Sequence, residues 1–163
     1  PQLGIHNIDF NNILSKGKSK LGIVINLDKH DQPGSHWVAL YINLLKNQVY
    51  FFDSAAQKPG KRISNFIDKV LHFMYYKKYK TVIDTKKIIL SLDNPVIKNK
   101  FKDFDIRYNK IQHQFNNSEC GVYSINFIVR LVSDKESFDD ITQNITKDEE
   151  MNKCRFEYFR EKD

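Results

Sequence analysis

A thiol becomes a useful nucleophile near neutral pH when it is held as a thiolate, and the simplest supports for that are a helix N-terminus and a nearby imidazole. The 163-residue chain has two cysteines. Cys120 has the first support, because it opens a segment of helical periodicity after the polar loop 116–119. Gly121 behind it would let a substrate carbonyl approach the backbone. Taken alone, a buried structural cysteine is the commoner outcome for such a residue. Cys154 is the internal control: it sits in an apolar helical stripe with Met151 and Tyr158, the setting of an inert core thiol.

A base for Cys120 must come from His6, His30, His36, His72 or His113. His36 starts a β-like run directly after Gly34–Ser35 and precedes Trp37, the only tryptophan, which could wall a cleft. His72 falls between the apolar positions of a helix, His30 lies in a loop, and His113 stands beside another candidate, Gln114. An imidazole base also needs an orienting carboxylate on a neighbouring strand. Asp53 ends the strand expected to pair with the one starting near His36. In an antiparallel hairpin the start of one strand lies beside the end of the next, so a long separation in sequence becomes proximity. A turn cap made by Asp53-Ser54 is the competing reading. Gln114 can offer a side-chain amide to an oxyanion while Cys120 offers its own N–H. His36, Asp53, Gln114 and Cys120 thus supply base, orienter, oxyanion donor and nucleophile.

Metal and phosphate chemistry have weaker support. Zinc would want ligands such as His30, Asp31 and His36, but no Cys-x-x-Cys or His-x-x-x-His pair accompanies them, and no cofactor is expected. Gly17-Lys18-Ser19 imitates the end of a Walker A element without the preceding glycine, and reads better as a lysine-rich surface loop.

The elements that must hold these residues follow from periodicity. Leu21–Leu27 is a short, β-branched apolar run expected to form a strand buried on both faces, followed by a loop over Asp28–Ser35. His36–Asn43 and Gln48–Asp53 have hairpin spacing. Ile63, Phe66, Ile67, Val70, Leu71 and Met74 mark a helical stripe, with lysines beyond its end to suit the dipole. Thr81–Lys100 is ambiguous, with a break at Asn94–Pro95. Phe104–Ile111 alternates as a half-buried strand does. Cys120–Val132 reads as a helix buried through Val122, Ile125, Val129 and Val132. Ser137-x-x-Asp140 and Thr146-x-x-Glu149 read as capping boxes, the second opening a C-terminal helix. The sum is one α+β domain, with strands in the first two-thirds and helices flanking them.

Composition limits the alternatives. Hydrophobic residues make up 40% and include 12 Phe and 8 Tyr, enough for a packed core and against disorder. No apolar run reaches the roughly 20 residues of a membrane helix, so no membrane insertion is expected. Two cysteines do not make a disulfide scaffold, and Pro1–Phe10 lacks the pattern of a secretory signal, which suggests an intracellular, reducing compartment. The missing initiator methionine suggests a processed product or a piece of a longer protein. A net charge of +6, concentrated in Lys16–Lys20, Lys58–Arg62 and Lys77–Lys87, permits nucleic-acid association through a basic surface.

His36-Trp37 with its following strand, Asp53-Ser54 ending the next, and Gln114-x5-Cys120-Gly121 resemble the signature of the SUMO-specific and adenovirus-type cysteine proteases, over about Leu21 to Arg130. Within that clan, Gly4–Phe10, Gly22–Ser35 and Asn117–Phe127 look more like the polyprotein-processing proteases of large DNA viruses, such as that of African swine fever virus, than the cellular deconjugases. The resemblance implies an α+β papain-like core in circularly permuted order, with a central mixed sheet flanked by helices. It implies a triad of His36 as base, Asp53 as orienter and Cys120 as nucleophile, with Gln114 as oxyanion donor. Trp37 and Gly121 would border a slot for small substrate residues, Gly-Gly-x, in a polyprotein or ubiquitin-like protein. The viral likeness implies host cytoplasm and virion; a cellular deconjugase would work in nucleus or cytoplasm. Two positions depart from the family: cellular members have aspartate where this chain has Glu119, and Trp37 lacks the second tryptophan that closes their tunnel. A SUMO or ubiquitin-like deconjugase, a His-acid-Cys acetyltransferase and a non-enzymatic basic module remain as alternatives.

Overall fold

The computed structural model describes residues 5–28 and 36–159, His6 by its backbone alone. Its elements are α1 (Phe10–Ser15), β1 (Lys20–Asn26), β2 (Trp37–Asn43), β3 (Gln48–Phe52), α2 (Lys61–Tyr79), α3 (Pro95–Lys100), β4 (Asp105–Tyr108), α4 (Cys120–Val132), α5 (Phe138–Gln143) and α6 (Asp148–Tyr158), with 3-10 turns at Ile5–Asn7 and Ile88–Ser91. The loop expected over Asp28–Ser35 lies, after Asp28, outside the described residues, as do the zinc candidates His30 and Asp31.

One four-stranded sheet has the order β1-β2-β3-β4. The N–H of Leu27 donates to the carbonyl of His36 and that of Leu44 to Ser19, both at 2.9 Å, so β1 and β2 are antiparallel. A tight turn joins β2 to β3: Asn43 Oδ1 accepts the N–H groups of Leu45 and Lys46, and Asn47 closes it at φ 52°. Asp105 N–H meets the carbonyl of Asn47 at 2.9 Å, and the Asn109 side chain holds the backbone of Asp53, so β4 runs in the same direction as β3. The connection between them carries α2 and α3, the crossover that a parallel pair requires. The sheet is mixed, and the α+β class expected from the sequence holds.

Two compact units share the chain. The first comprises Pro1–Leu21, Ile42–Val49 and Pro59–Arg107. Its main helix, α2, buries Ile63, Phe66, Ile67, Val70, Leu71 and Met74, the stripe read from the sequence. Phe10 meets the rings of Phe66 and Phe73, and Tyr75 packs with Phe101 and Phe104. Asn94 and Pro95 begin a helix here, rather than breaking one: Asn94 Oδ1 accepts the N–H of Val96, and Pro95 occupies the first position of α3. Gly17 turns the chain between α1 and β1 at φ +70°, which accounts for its glycine without a bound phosphate.

The second unit comprises Gly22–Tyr41, Tyr50–Lys58 and Tyr108–Asp163. Ala39, Tyr41, Tyr50 and Phe52 pack against Val122, Tyr123, Phe127 and Leu131 of α4 and against Phe138, Ile141 and Met151. Phe52 stacks on Phe127 at 4.7 Å. The buried face of α4 differs in part from the expected one: Val122 is buried, but Val129 and Val132 are exposed, whereas Cys120, Tyr123, Phe127 and Leu131 are buried. Both sets have helical spacing, and the larger rings remove more apolar area from water.

Three further expectations change. β1 is an edge strand, mostly half-buried, rather than buried on both faces. A Cβ added to Gly22 would fall well inside contact distance of Ile128 Cγ2, so the glycine lets this strand lie close to α4. β4 ends at Tyr108, because the side chain of Asn109 turns in to bond the backbone at Asp53. Ser137 and Asp140 form the expected capping box, but Thr146 and Glu149 do not: α6 starts at Asp148 with Lys147 as N-cap and no side-chain cap.

Candidate active site

Asp53 follows the last residue of β3 and is 1% exposed. Its Oδ1 lies 2.8 Å from His36 Nε2 and accepts the Ala55 N–H at 2.8 Å. Oδ2 is buried and has no hydrogen-bond partner among the described residues. The hairpin therefore brings His36 and Asp53 together as the sequence anticipates. With Nε2–H donated to the carboxylate, Nδ1 is the nitrogen that keeps a lone pair for a proton.

Asn109 fixes this carboxylate from the backbone side. Its Oδ1 accepts the Asp53 N–H at 2.9 Å, and its Nδ2 donates to the carbonyls of Asp53 at 2.7 Å and Ile111 at 3.1 Å. Asn109 is 1% exposed. An asparagine in an alternating segment reads as a solvent-facing strand residue, and only the long-range pairing with Asp53 reveals its task.

Cys120 is the first residue of α4, with Glu119 as N-cap, so its N–H is among the donors that the helix leaves unpaired. Its thiol is free, as is that of Cys154. Cys120 lines a groove of about 420 Å³ with Trp37, Gly121, Val24, Ile125 and Phe159. Ser124 Oγ–H donates to the Trp37 carbonyl at 3.1 Å, which ties the start of β2 to α4. A Cβ on Gly121 would meet Trp37 only at 3.9 Å, so the fold itself does not demand glycine there.

Gln114 is nearly buried, with its Oε1 accepting from Ser54 Oγ–H at 2.7 Å and its Nε2 donating to the Asn116 carbonyl at 2.5 Å. A carboxamide nitrogen carries two hydrogens, so one N–H remains for another acceptor. The loop after Gln114 is anchored by Asp148, whose Oδ2 accepts the N–H groups of Phe115 and Asn116 at 2.9 Å each. Asp148 Oδ1 also lies 2.9 Å from the Tyr123 hydroxyl, which is 2.7 Å from the Thr146 carbonyl. Burial first, and then Asp148, push the Tyr123 phenol well above its ordinary range, so it stays a neutral donor. Arg155 Nη2 donates to the Ser118 carbonyl at 2.8 Å and steadies the stretch before Cys120. Asp148 and Arg155 were invisible as site residues because α6 contacts the loop only through folding. All these groups belong to the second unit.

Of the other histidines whose side chains are described, His72 and His113, neither ring bonds to these groups. His72 is exposed on α2. His113 is buried, its ring edge-on to Phe52 and its Nε2 3.1 Å from the Thr142 carbonyl. Burial holds its imidazole below the usual range, against the bond to Thr142. The unfolded chain then binds this proton at higher pH than the folded one, so stability is full above about pH 6.5 and is lost as pH falls through the folded value. Urea midpoints measured from pH 7.5 to 5 should drop on the acid side. That drop should be smaller in His113→Gln, whose amide can donate to Thr142 without titrating.

Among the described residues no group of three or more His, Cys, Asp or Glu is placed to hold a metal ion. No helix among them is long and apolar enough to cross a membrane.

A thiol at a helix start, an imidazole tied to a buried carboxylate, and an amide on the adjoining loop are the kinds of group that a cysteine peptidase uses. The chain belongs to the Ulp1 protease family, matching its C-terminal catalytic domain over residues 9–163. Its relatives are viral thiol proteases. It is 36% identical over 156 residues to a protein of Acanthamoeba polyphaga mimivirus named as a thiol protease, R355, covering 96% of this chain and 44% of that protein. It is 26% identical over 141 residues to the protein named SUMO-1 cysteine protease S273R of African swine fever virus (isolate Pig/Kenya/KEN-50/1950), covering 85% and 43%. The crystal structure of the African swine fever virus pS273R protease has the same fold, with a TM-score of 0.63 at 24% identity, over 89% of this chain and 46% of that one. The chain thus spans less than half the length of these relatives.

Proposed function

We propose that the protein is a cysteine endopeptidase that cuts after small residues, Gly-Gly-x in particular, in processing a viral polyprotein. The observation that carries this reading is the 2.8 Å pairing of His36 Nε2 with the buried Asp53, one residue from the Trp37 that shares a groove with Cys120. His36 Nδ1 takes the thiol proton, and the sulfur attacks the peptide carbonyl. The Cys120 N–H and the second N–H of Gln114 hold the resulting oxyanion. His36 returns the proton to the leaving amine, and water then releases the acyl group from sulfur. Asp53 keeps the imidazole in the tautomer with hydrogen on Nε2 throughout. Trp37 and Gly121 border the slot, where a bulky residue beside the scissile bond would meet the indole. The family match runs through residues of both units, which supports treating them as one catalytic domain.

Charge divides unevenly between the units. The first holds 16 Lys and Arg against 6 Asp and Glu, the second 10 against 14. Lys16, Lys18, Lys61, Arg62, Lys77 and Lys78 of the first unit are exposed. This excess supports a polyanion such as nucleic acid as an accessory partner, held by the first unit while the second does the chemistry.

A peptide-library cleavage profile, run beside a panel of ubiquitin-like tails, tests the reading. Cleavage after glycine pairs in short peptides is the expected result. Cleavage confined to folded ubiquitin-like proteins would favour the deconjugase instead. Acetyl transfer from acetyl-CoA without proteolysis would identify an acetyltransferase. Steeply salt-dependent DNA binding with no thiol reactivity would leave a basic binding module.

A further inference from the structure

Asp53 and Gln114 are both tied to the dipeptide Asp53-Ser54. Asp53 holds His36, and Ser54 holds Gln114. Ser54 is fully buried. Its carbonyl accepts the N–H of His113 at 2.8 Å and the N–H of Gln114 at 3.0 Å, while its hydroxyl donates to Gln114 Oε1 at 2.7 Å. Backbone and side chain of one serine therefore grip backbone and side chain of one glutamine.

The two ends of a carboxamide are nearly equal in size and opposite in hydrogen-bonding character. An oxyanion site needs the nitrogen end; the oxygen end in its place would repel the developing charge. In this protein the Asn116 carbonyl, which can only accept, selects Nε2 on one side. The Ser54 hydroxyl then donates to Oε1 on the other, completing the hold. We propose that Ser54 is a positioning residue of the oxyanion site: its hydroxyl locks the Gln114 carboxamide so that the second N–H is aimed at the substrate oxygen. This rests on the assignment of Gln114 as oxyanion donor made above.

The consequence is confined to steps in which negative charge builds on a carbonyl oxygen. Ser54→Ala leaves Oε1 buried without its donor, and the amide loses its fixed aim. Expected is a fall in kcat of about 10- to 100-fold, less than the roughly 100-fold or more for loss of the donor itself in Gln114→Ala, with KM changed little. Displacement of iodide from iodoacetamide by the Cys120 sulfur forms no tetrahedral oxyanion. Its rate and pH midpoint should match the parent protein in both variants. Ser54→Cys, which keeps the shape and offers a weak S–H donor, should fall between Ser54→Ala and the parent. The double variant Ser54→Ala/Gln114→Ala should be no slower than Gln114→Ala alone, because the serine acts only through the glutamine.

Full kcat in Ser54→Ala beside an impaired Gln114→Ala would overturn the proposal and leave the reading of the site standing. So would multiplicative losses in the double variant, or a shifted alkylation midpoint in Ser54→Ala, which would place its action on Asp53 and His36. Full activity in Gln114→Ala would overturn the oxyanion assignment and this proposal with it.

Discussion

Replacing Cys120 by alanine is expected to lower kcat/KM for peptide cleavage by roughly 10⁴-fold or more, with a melting temperature within a few degrees of the parent. In the proposed mechanism the activity loss follows from removal of the atom that bonds to substrate, which no water held in the groove replaces at comparable rate. The modest stability effect follows from position: Cys120 lines a groove, so truncation opens space already continuous with solvent, and alanine suits a helix at least as well as cysteine. A change of about 1 kcal/mol in a chain of this length corresponds to roughly 2–4 °C. Cys154 makes the control demanding. It is the more accessible thiol, being half-buried where Cys120 is buried. A limiting dose of a thiol-directed electrophile that reported only access would therefore mark Cys154 first. Mass mapping that finds Cys120 modified first indicates an activated sulfur; Cys154 labelled with Cys120 untouched would refute the nucleophile assignment.

Asp53→Ala is the second large effect, an expected loss of roughly 10²- to 10⁴-fold in kcat. Without the carboxylate, nothing fixes hydrogen on His36 Nε2, and the ring is free to turn or to carry the proton on Nδ1, the wrong nitrogen for a base. Asp53→Asn should lose less, about 10- to 100-fold, for a reason peculiar to this site. The Ala55 N–H points at Oδ1 and favours an oxygen there, so the asparagine amide would still present an acceptor to Nε2–H. What it gives up is the charge that stabilises an imidazolium. Neither variant should unfold the protein, because Asn109 holds position 53 by its backbone and Oδ2 has no bond to lose. Steady-state kinetics beside thermal melts check both statements; equal losses in Ala and Asn would mean that charge alone, and not tautomer, is what Asp53 supplies.

Local signals located most of this arrangement. The hairpin from His36 to Asp53 was legible because strand alternation and a short turn fix which ends meet. The helix starting at Cys120 was legible from a polar loop running into an apolar period. The buried face of that helix was legible only at its start: Val122 is buried as expected, but Val129 and Val132 are exposed, and Cys120, Tyr123, Phe127 and Leu131 make an equally regular stripe. Choosing between them depends on what Phe52 and Phe138 bring from elsewhere. Asn109, Ser54 and Asp148 escaped for a related reason. Each makes its contact across a long stretch of chain, to Asp53, to Gln114 and to the loop after Gln114 respectively, and that pairing exists only in the folded protein. The box expected at Thr146 is absent because α6 starts one residue later than its spacing implies, with Lys147 as N-cap.

The adjacency of Asp53 and Ser54 ties two tolerances together. In the proposed mechanism, activation of the thiol and reception of the carbonyl oxygen depend on neighbouring residues joined by a single peptide plane, so a tilt of that plane would disturb both in concert. Damage at this end of the strand would then silence the protease outright, rather than leave a half-competent one that makes acyl-enzyme it does not clear.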